Sequence, residues 1–413
     1  MEIVVQKYGG TSVADADRIK KVASRVVATA STGKQVVVVV SAMGDATDGL
    51  LELARTVAST PPPRELDMLL TAGERISMAL LSMAIIDLGR DAISLTGSQA
   101  GIVTDTTHGR ARIVEVRAKR IVDALEEGKI VIVAGFQGVS TSLEVTTLGR
   151  GASDTTAVAL AATLGAEICE IYSDVDGVYT ADPRVVADAR KLHAVSYEEM
   201  LEMAATGARV LHLRAVEYAR NYNVIVHARS SFTDEPGTFV TQEDERMEKA
   251  LISGVTHDTS EAVVRVRRVP DRPGIAARIF GAISQEDVNV DMIVQNTSED
   301  GRTDLSFTIP KDDLPRAKAV IEKVAEEVGA EGYAADSDIG KVSLVGAGMR
   351  THPGVAAGMF AALAGADINI EMISTSSIRI SCVVRAGDVE RAVKVVHEHF
   401  DLPREAVHRE EHG

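Results

Sequence analysis

The feature that most constrains this 413-residue chain is a repeat in its last third. Pro273-Gly274-Ile275-Ala276-Ala277-Arg278-Ile279-Phe280 corresponds to Pro353-Gly354-Val355-Ala356-Ala357-Gly358-Met359-Phe360. Val288-Asn289-Val290-Asp291-Met292-Ile293 corresponds to Ile368-Asn369-Ile370-Glu371-Met372-Ile373. Both matches hold at one ungapped offset of 80 residues, which chance does not readily produce. Each copy reads strand, Pro-Gly loop, amphipathic helix, strand, strand, helix, the order of a ferredoxin-like α+β sandwich. Two copies are too few for a solenoid, where at least three must stack. They form a paired module, 262–337 and 338–413, behind a linker and extra strand at 246–261.

The preceding 245 residues follow a different rhythm. Ile3–Gln6 and Gln35–Val40, the latter with five valines in succession, suit strands buried on both faces of a parallel sheet. Between them Ile19, Val22, Ala23, Val26 and Val27 recur at helical spacing. Helices follow around 67–87, 118–127 and 153–164, with strands at 92–95, 130–134 and 167–172, and Ser196 with Glu199 forms a capping box. Such alternation predicts an α/β fold, a mainly parallel sheet with helices on both faces. Ligands of open α/β sheets sit beyond the carboxyl ends of the strands, so the chemistry belongs in the loops that follow them.

Composition narrows the function. With 45% hydrophobic residues the chain can bury a core. The longest mainly apolar run, 76–86, is interrupted by Ser77 and Ser82 and falls short of the ~20 residues of a membrane span. Met1 leads directly into a strand-like run, without a basic segment or small-residue cleavage site, and only Cys169 and Cys382 are present. These features predict a cytoplasmic protein with no membrane partner. A formal charge of -16 and 3% aromatics argue against nucleic acid, which needs a basic stripe or stacking platforms. No metal site of the protein's own is expected.

Five segments carry candidate chemistry. Lys7-Tyr8-Gly9-Gly10-Thr11-Ser12 joins a strand to a helix; adjacent glycines let amides approach an anion, and a lysine supplies a point charge. A tight turn with a solvated lysine would look the same. Ser41 to Asp48 can position a polar substrate or merely cap a helix. Glu74-Arg75 lies in an apolar helical stretch, as a surface ion pair or as a buried acid for a ligand ammonium. Arg150-Gly151-Ala152-Ser153-Asp154 opens an apolar helix with a carboxylate-forking guanidinium, a hydroxyl and an acid, too dense for capping alone. Ser173 to Arg184 brings acids, Tyr179 and Arg184 after another strand, a set that suits nucleotide contacts.

Taken in order, Lys7–Ser12, Ser41–Asp48, Thr71–Ser77, Gly149–Ala157, Ser173–Arg184 and Val210–Asn223 resemble aspartate kinase, of the amino-acid kinase superfamily, and the repeats resemble its paired ACT domains. The resemblance spans nearly the whole chain. It implies an amino-acid kinase fold over 1–245 followed by two ACT domains. The implied reaction is transfer from MgATP to the β-carboxylate of L-aspartate, giving 4-phospho-L-aspartate on the way to lysine, threonine, methionine and isoleucine. The cofactors are then ATP and Mg2+, held through the ATP phosphates.

The same resemblance assigns roles. Lys7 stabilises the transferring phosphoryl, with the amides of Gly9 and Gly10. Ser41, Thr47, Gly151 and Ser153 contact substrate, Glu74 pairs with its ammonium and Arg150 forks its α-carboxylate. Asp154 organises the lysine and the metal–phosphate region. Ser173, Asp174, Tyr179, Asp182, Arg184 and Arg209 line the ATP site. Two departures stand out: Ala152 where the family usually has glycine, and Arg209 where it usually has lysine. A positive φ at Ala152 would cost about 1 kcal/mol. These departures keep alive a second reading, a catalytically weak amino-acid sensor on a kinase scaffold; a sister kinase acting on glutamate, N-acetylglutamate or a nucleotide is a third.

By resemblance, Asp271, Gly274, Ile275, Ala276, Asp291, Gln295 and Asn296 hold a threonine-like effector, and His352, Gly354, Val355, Asn369, Glu371 and Ser376 mark the corresponding second site, for an amino-acid effector (threonine or lysine), degenerate, or used in assembly. Ala356 replaces the usual threonine there. Coupling to the kinase would amount to ~1–3 kcal/mol. The resemblance further implies a homo-oligomer or an α2β2 assembly through the ACT domains, with Met247 as a possible internal start.

Overall fold

The computed structural model describes residues 2–149, 151–243, 251–296, 300–350 and 352–403. Arg150 and Met247 lie outside the described residues. The chain divides into two compact units, 1–178 with 191–204 and 209–247, and 179–190 with 205–208 and 248–413.

The first unit opens with β1 (Ile3–Tyr8), α1 (Ala16–Ser31), β2 (Gln35–Val40), α2 (Ala46–Val57) and α3 (Pro63–Asp87). It continues through β3 (Ala92–Leu95), β4 (Ile102–Thr104), β5 (Ile113–Val116), α4 (Lys119–Glu126), β6 (Ile130–Ala134), β7 (Gln137–Ser140) and β8 (Val145–Thr147). Then come α5 (Ser153–Leu164), β9 (Ile168–Ser173), β10 (Ala194–Ser196), α6 (Tyr197–Ala205), α7 (Leu213–Tyr222), β11 (Val226–Ser230) and β12 (Thr238–Thr241). Eight strands make one sheet in the order β10-β12-β11-β9-β1-β2-β6-β3. The six from β11 to β3 run parallel, and β12 is antiparallel to β11. The valines of β2 are all buried, as a strand covered on both faces requires. The capping box is realised: Glu199 accepts from the amide and hydroxyl of Ser196, whose Oγ accepts from the Glu199 amide.

One feature was not legible: a second, four-stranded sheet, β5-β4-β7-β8, stands apart from the main one. The helix expected around 67–87 is present as α3, which begins four residues earlier and at 25 residues is apolar enough on length and composition alone to cross a membrane. Half of its most apolar stretch is buried within the protein. That inward face holds Asp67 and Glu74, both hydrogen-bonded, as expected of a core helix that carries function.

The second unit contains β13 (Gly254–Asp258), β14 (Glu261–Pro270), α8 (Ile275–Gln285), β15 (Ile293–Gln295), β16 (Arg302–Pro310), α9 (Leu314–Glu327) and β17 (Gly332–Asp336). The second repeat supplies β18 (Ile339–Val345), α10 (Val355–Gly365), β19 (Met372–Thr375), β20 (Arg379–Arg385) and α11 (Val389–His399). The 80-residue offset persists in the backbone: Gly274 and Gly354 precede their helices at φ 95° and 99°, and Asp287 and Asp367 share φ near 55°. The sheets are β15-β16-β14-β17 and β13-β18-β20-β19. Thus β13, from upstream of both repeats, takes in the second sheet the edge that β17 takes in the first.

The repeats are tied by exchanged charges. Lys341 on β18, 1% exposed, meets Glu261 at 2.7 Å and Asp291 at 2.5 Å, both from the first repeat. Glu371, the equivalent of Asp291, reaches back to Arg265 of the first repeat at 3.8 Å. Burial alone would lower the Lys341 amine; the charges of Glu261 and Asp291 outweigh it, and its pKa is raised. The stabilisation is therefore complete at neutral pH and fades only above the ordinary lysine range. Lys341→Met strands the Glu261 carboxylate, whose Oε2 already lacks a partner. Urea unfolding of that variant is expected to show a loss of about 3–5 kcal/mol. A loss below about 1 kcal/mol would contradict this account of how the repeats are held.

Candidate active site

The carboxyl edge of the main sheet brings together loops distant in sequence. Side chains alternate along β1, so Gln6 and Tyr8 face α1 while Lys7 points to the other side, toward α5. There Lys7 Nζ lies 2.6 Å from Asp154 Oδ1, with both side chains about nine-tenths buried. The second oxygen of Asp154 accepts from the backbone N–H of His212 at 3.2 Å. Burial lowers the pKa of His212, which favours the neutral ring at pH 7. The acid thus holds a fixed cation on one side and the start of α7 on the other.

The Gly-Gly turn is built by close approach. A Cβ on Gly10 would stand 2.9 Å from the Ala42 carbonyl, so the loops after β1 and β2 touch only because glycine is there. The Gly9 amide has another use than the one expected: it donates to the Tyr172 carbonyl at 3.1 Å and so ties β1 to β9 rather than facing a phosphate. Ser12 Oγ lies 2.5 Å from Ser231 Oγ, which brings the loop after β11 into the same edge.

Glu74 is the most unusual group here. It is 3% exposed, whereas its sequence neighbour Arg75 is exposed, so the two form no surface pair. Its Oε1 accepts from the Ala42 amide at 3.3 Å, and Oε2 is buried with no partner. Burial pushes its pKa up to about 7. A buried carboxylate oxygen with nothing to accept from is costly, and a cationic donor such as an ammonium would satisfy it. Ser41 stands beside it, its carbonyl accepting from Ser77 Oγ, and Thr47 lies in the first turn of α2.

The turn into α5 answers one expectation directly. Gly149 and Gly151 have φ of 90° and 74°, and a Cβ on Gly151 would collide with the His212 ring at 2.6 Å. Ala152 has φ −77° and is fully buried with Leu70, Phe136 and Leu148, so its methyl is packed and costs no backbone strain. Ser153 begins α5 and is buried. Arg209 is exposed.

The remaining residues divide between units. Ser173 ends β9 in the first unit and Asp174, exposed, follows it. Tyr179, Asp182 and Arg184 belong to the second. There Arg184 pairs with Asp182 at 2.7 Å, and this bond holds the Asp182 carboxyl below its usual range.

Strand register corrects the effector set. The Asp271 amide bonds the Gly301 carbonyl and the Asn296 carbonyl accepts from Thr303, which gathers Asp271, the Gly274–Ile275–Ala276 helix start, Gln295 and Asn296 at the β16 entrance. Asp291 is not there. Its amide bonds Thr308, near the far end of β16, and its carboxylate is taken by Lys341. Likewise Ser376 bonds Arg379 at one end of β20, and His352 lies 2.9 Å from the carbonyl of Gly348, just beyond the β18 residue Val345 that pairs with Arg379, with Gly354 and Val355 opening α10; Glu371 instead bonds Val383 and Arg385 toward the other end. Instead a cavity of about 480 Å³ between the sandwiches unites Asn296 and Glu371 with Arg265, Asp304 and Ser306.

A fixed cation at a sheet edge beside a buried acid for an ammonium suits phosphoryl transfer to an amino acid, the chemistry of the amino-acid kinases. Residues 2–229 match the amino acid kinase family, and residues 262–326 and 342–400 match ACT domains. The chain is 60% identical over 407 residues to an aspartokinase of Mycolicibacterium smegmatis and 58% identical to one of Mycobacterium tuberculosis, covering 97% of both chains in each case. Among solved structures it resembles Escherichia coli aspartokinase III in complex with aspartate and ADP, at 27% identity and a TM-score of 0.84 over 96% of this chain and 99% of that one. The same enzyme in complex with lysine and aspartate gives 26%, 0.75, 97% and 100%. The chain belongs to the aspartokinase family. Its reaction is transfer of a phosphoryl group from ATP, with Mg2+, to aspartate.

Asp67, Thr147, His212 and Arg214 were missed in sequence. Each is polar within an otherwise apolar stretch or at an element's end, a signal too common to single them out.

Proposed function

We propose that Lys7, Asp154 and Glu74 are the working core of this aspartate kinase, with Arg150, Gly151, Ser153, Ser41 and Thr47 completing the aspartate site. The observation that carries this reading is the unpartnered, buried Glu74 oxygen on the same sheet edge as the Lys7–Asp154 pair. Glu74 takes the ammonium and Arg150 the α-carboxylate, so the β-carboxylate is the end left to react. A β-carboxylate oxygen bonds to the γ-phosphorus, the bond from that phosphorus to the β,γ-bridging oxygen breaks, and ADP leaves. The attacking carboxylate is already ionised at pH 7, so no general base is needed. Lys7 neutralises charge that develops on the transferring oxygens, and Asp154 fixes the lysine beforehand. Mg2+ travels with the ATP phosphates. Ser173, Asp174, Tyr179, Asp182, Arg184, Gly10 and Arg209 serve the nucleotide in this reading.

The domain limits proposed are 1–245, 262–337 and 338–413, with a cytoplasmic location. Lysine and threonine act on the repeats, either at the loop end marked by Asp271 and Asn296 or in the cavity, where Arg265 suits a carboxylate and Glu371 and Asp304 an ammonium. A homo-oligomer or α2β2 assembly forms through the same repeats. Coupled ADP release is expected with L-aspartate and not with L-glutamate or N-acetylglutamate, and to fall when lysine or threonine is added. Effector binding without turnover would instead support the sensor reading.

A further inference from the structure

Asp67 lies on the buried face of α3, two helical turns before Glu74 and outside every role given above. It is 1% exposed, and its carboxylate is crowded with donors. Thr147 Oγ1 donates to Oδ1 at 2.5 Å, the Gly109 amide reaches both oxygens at 3.1 Å, and His108 Nδ1 lies 2.7 Å from Oδ2. These donors come from two loops. Residues 105–111 follow β4, and Thr147 ends β8 just before the turn that carries Gly149, Gly151, Ser153 and Asp154. Arg214, at the start of α7, ties the same two loops from the opposite side: its guanidinium donates to the Leu148 carbonyl at 2.8 Å and the Ala111 carbonyl at 3.1 Å. The Ala111 amide bonds the Thr147 carbonyl, and Gly109 lies against Gly149.

We propose that Asp67, acting through Thr147 and assisted by Arg214, is a positioning residue for aspartate: it sets the turn into α5 relative to Glu74, so that one helix fixes both the ammonium acid and the segment that receives the rest of the substrate. A buried carboxylate served by three donors, through four contacts, is costly to assemble, and such an arrangement suits a turn that must hold one position. Thr71, between the two acids on the same face, gives its carbonyl to Gln137 at 3.2 Å, so α3 also anchors β7 of the small sheet. The nucleotide loops are tied elsewhere, Gly9 to Tyr172 and both Ser12 and Ser173 to Ser231. Loss of the cluster therefore weighs on aspartate more than on MgATP.

This inference rests on the aspartate site proposed above, and the wild-type chain's own aspartate-dependent turnover is the control that separates the two. Steady-state kinetics of the full chain are compared for Asp67→Asn, Thr147→Val and Thr147→Ser. Asp67→Asn is expected to raise KM for aspartate at least tenfold with KM for MgATP changed less than twofold. Thr147→Val is expected to raise it severalfold, and Thr147→Ser, which keeps the hydroxyl, to return it within twofold of wild type. Should Asp67→Asn fail to fold, the Val–Ser pair decides. Equal changes in both KM values, a fall in kcat alone in step with lost folded protein, or a serine variant no better than the valine one would overturn the proposal.

Discussion

Replacing Lys7 with methionine should lower kcat by about 10²–10³ while changing KM for aspartate little, because the ammonium stabilises charge that grows only as the phosphoryl group moves. Methionine keeps the side chain's length and apolar stem, so the loss isolates the charge. The structure supplies the reason for a large effect: the amine is fixed at 2.6 Å from Asp154 in a nearly closed pocket, where water cannot substitute for it. A second consequence follows from the same geometry. With Lys7 gone, Asp154 is a buried carboxylate held by one backbone amide, and removing one partner of a buried pair costs about 3–5 kcal/mol. Thermal unfolding should register that loss, and Lys7→Met/Asp154→Asn should recover part of the stability without recovering the rate. Arginine at position 7 keeps the charge but not the compact ammonium, and should restore less than a tenth of the activity lost.

Glu74→Gln is the second large effect. A charged hydrogen bond is worth about 1.5–3 kcal/mol, so KM for aspartate should rise about 10–100-fold with a smaller change in kcat. The pH profile gives the sharper test. Burial holds the free carboxyl near 7, and only its ionised form attracts an ammonium. KM for aspartate should therefore fall roughly tenfold between pH 6 and pH 8 and level off above, whereas Glu74→Gln should be flat across that range. Stability runs the opposite way. The folded carboxyl keeps its proton up to about 7 and the unfolded one only up to its ordinary 4.5, so the ligand-free protein loses stability as pH rises through that window, by roughly 3 kcal/mol at most. Aspartate should restore it. A ligand-free protein equally stable at pH 5 and pH 8 would place Glu74 in a wetter setting than the structure shows.

Much of this was legible in sequence because the signals were local. The valines of β2, the helical spacing of α1 and the 80-residue offset each report a period that one element must satisfy, and the structure reproduces them. Lys7 stood out as a cation at the end of a strand, Glu74 as an acid inside an apolar helical stretch and Asp154 as one of several polar groups packed into a helix start. What failed depended on register. Asp291 shares a short motif with Asn289, and nothing in the sequence tells that antiparallel pairing with β16 carries it to the end opposite Asp271, against Lys341. The Gly9 amide went to Tyr172 for a similar reason: its partner is 163 residues away, on a neighbouring strand. Ala152 was suspected of strain because a missing glycine suggests a positive φ. The strained positions are Gly149 and Gly151, one on each side of residue 150. The borrowing of β13 by the second sandwich was invisible too, since an edge strand carries no label for the sheet it will join.

The measurement that bears most directly on the central claim is single-turnover transfer with γ-labelled MgATP and L-aspartate, the product trapped with hydroxylamine, which converts an acyl phosphate to a hydroxamate. Wild-type protein should yield the β-hydroxamate of aspartate, and Lys7→Met should form it at least a hundredfold more slowly with aspartate still bound. Formation at the wild-type rate without Lys7, or label transferred to anything but the β-carboxylate, would contradict the site described here.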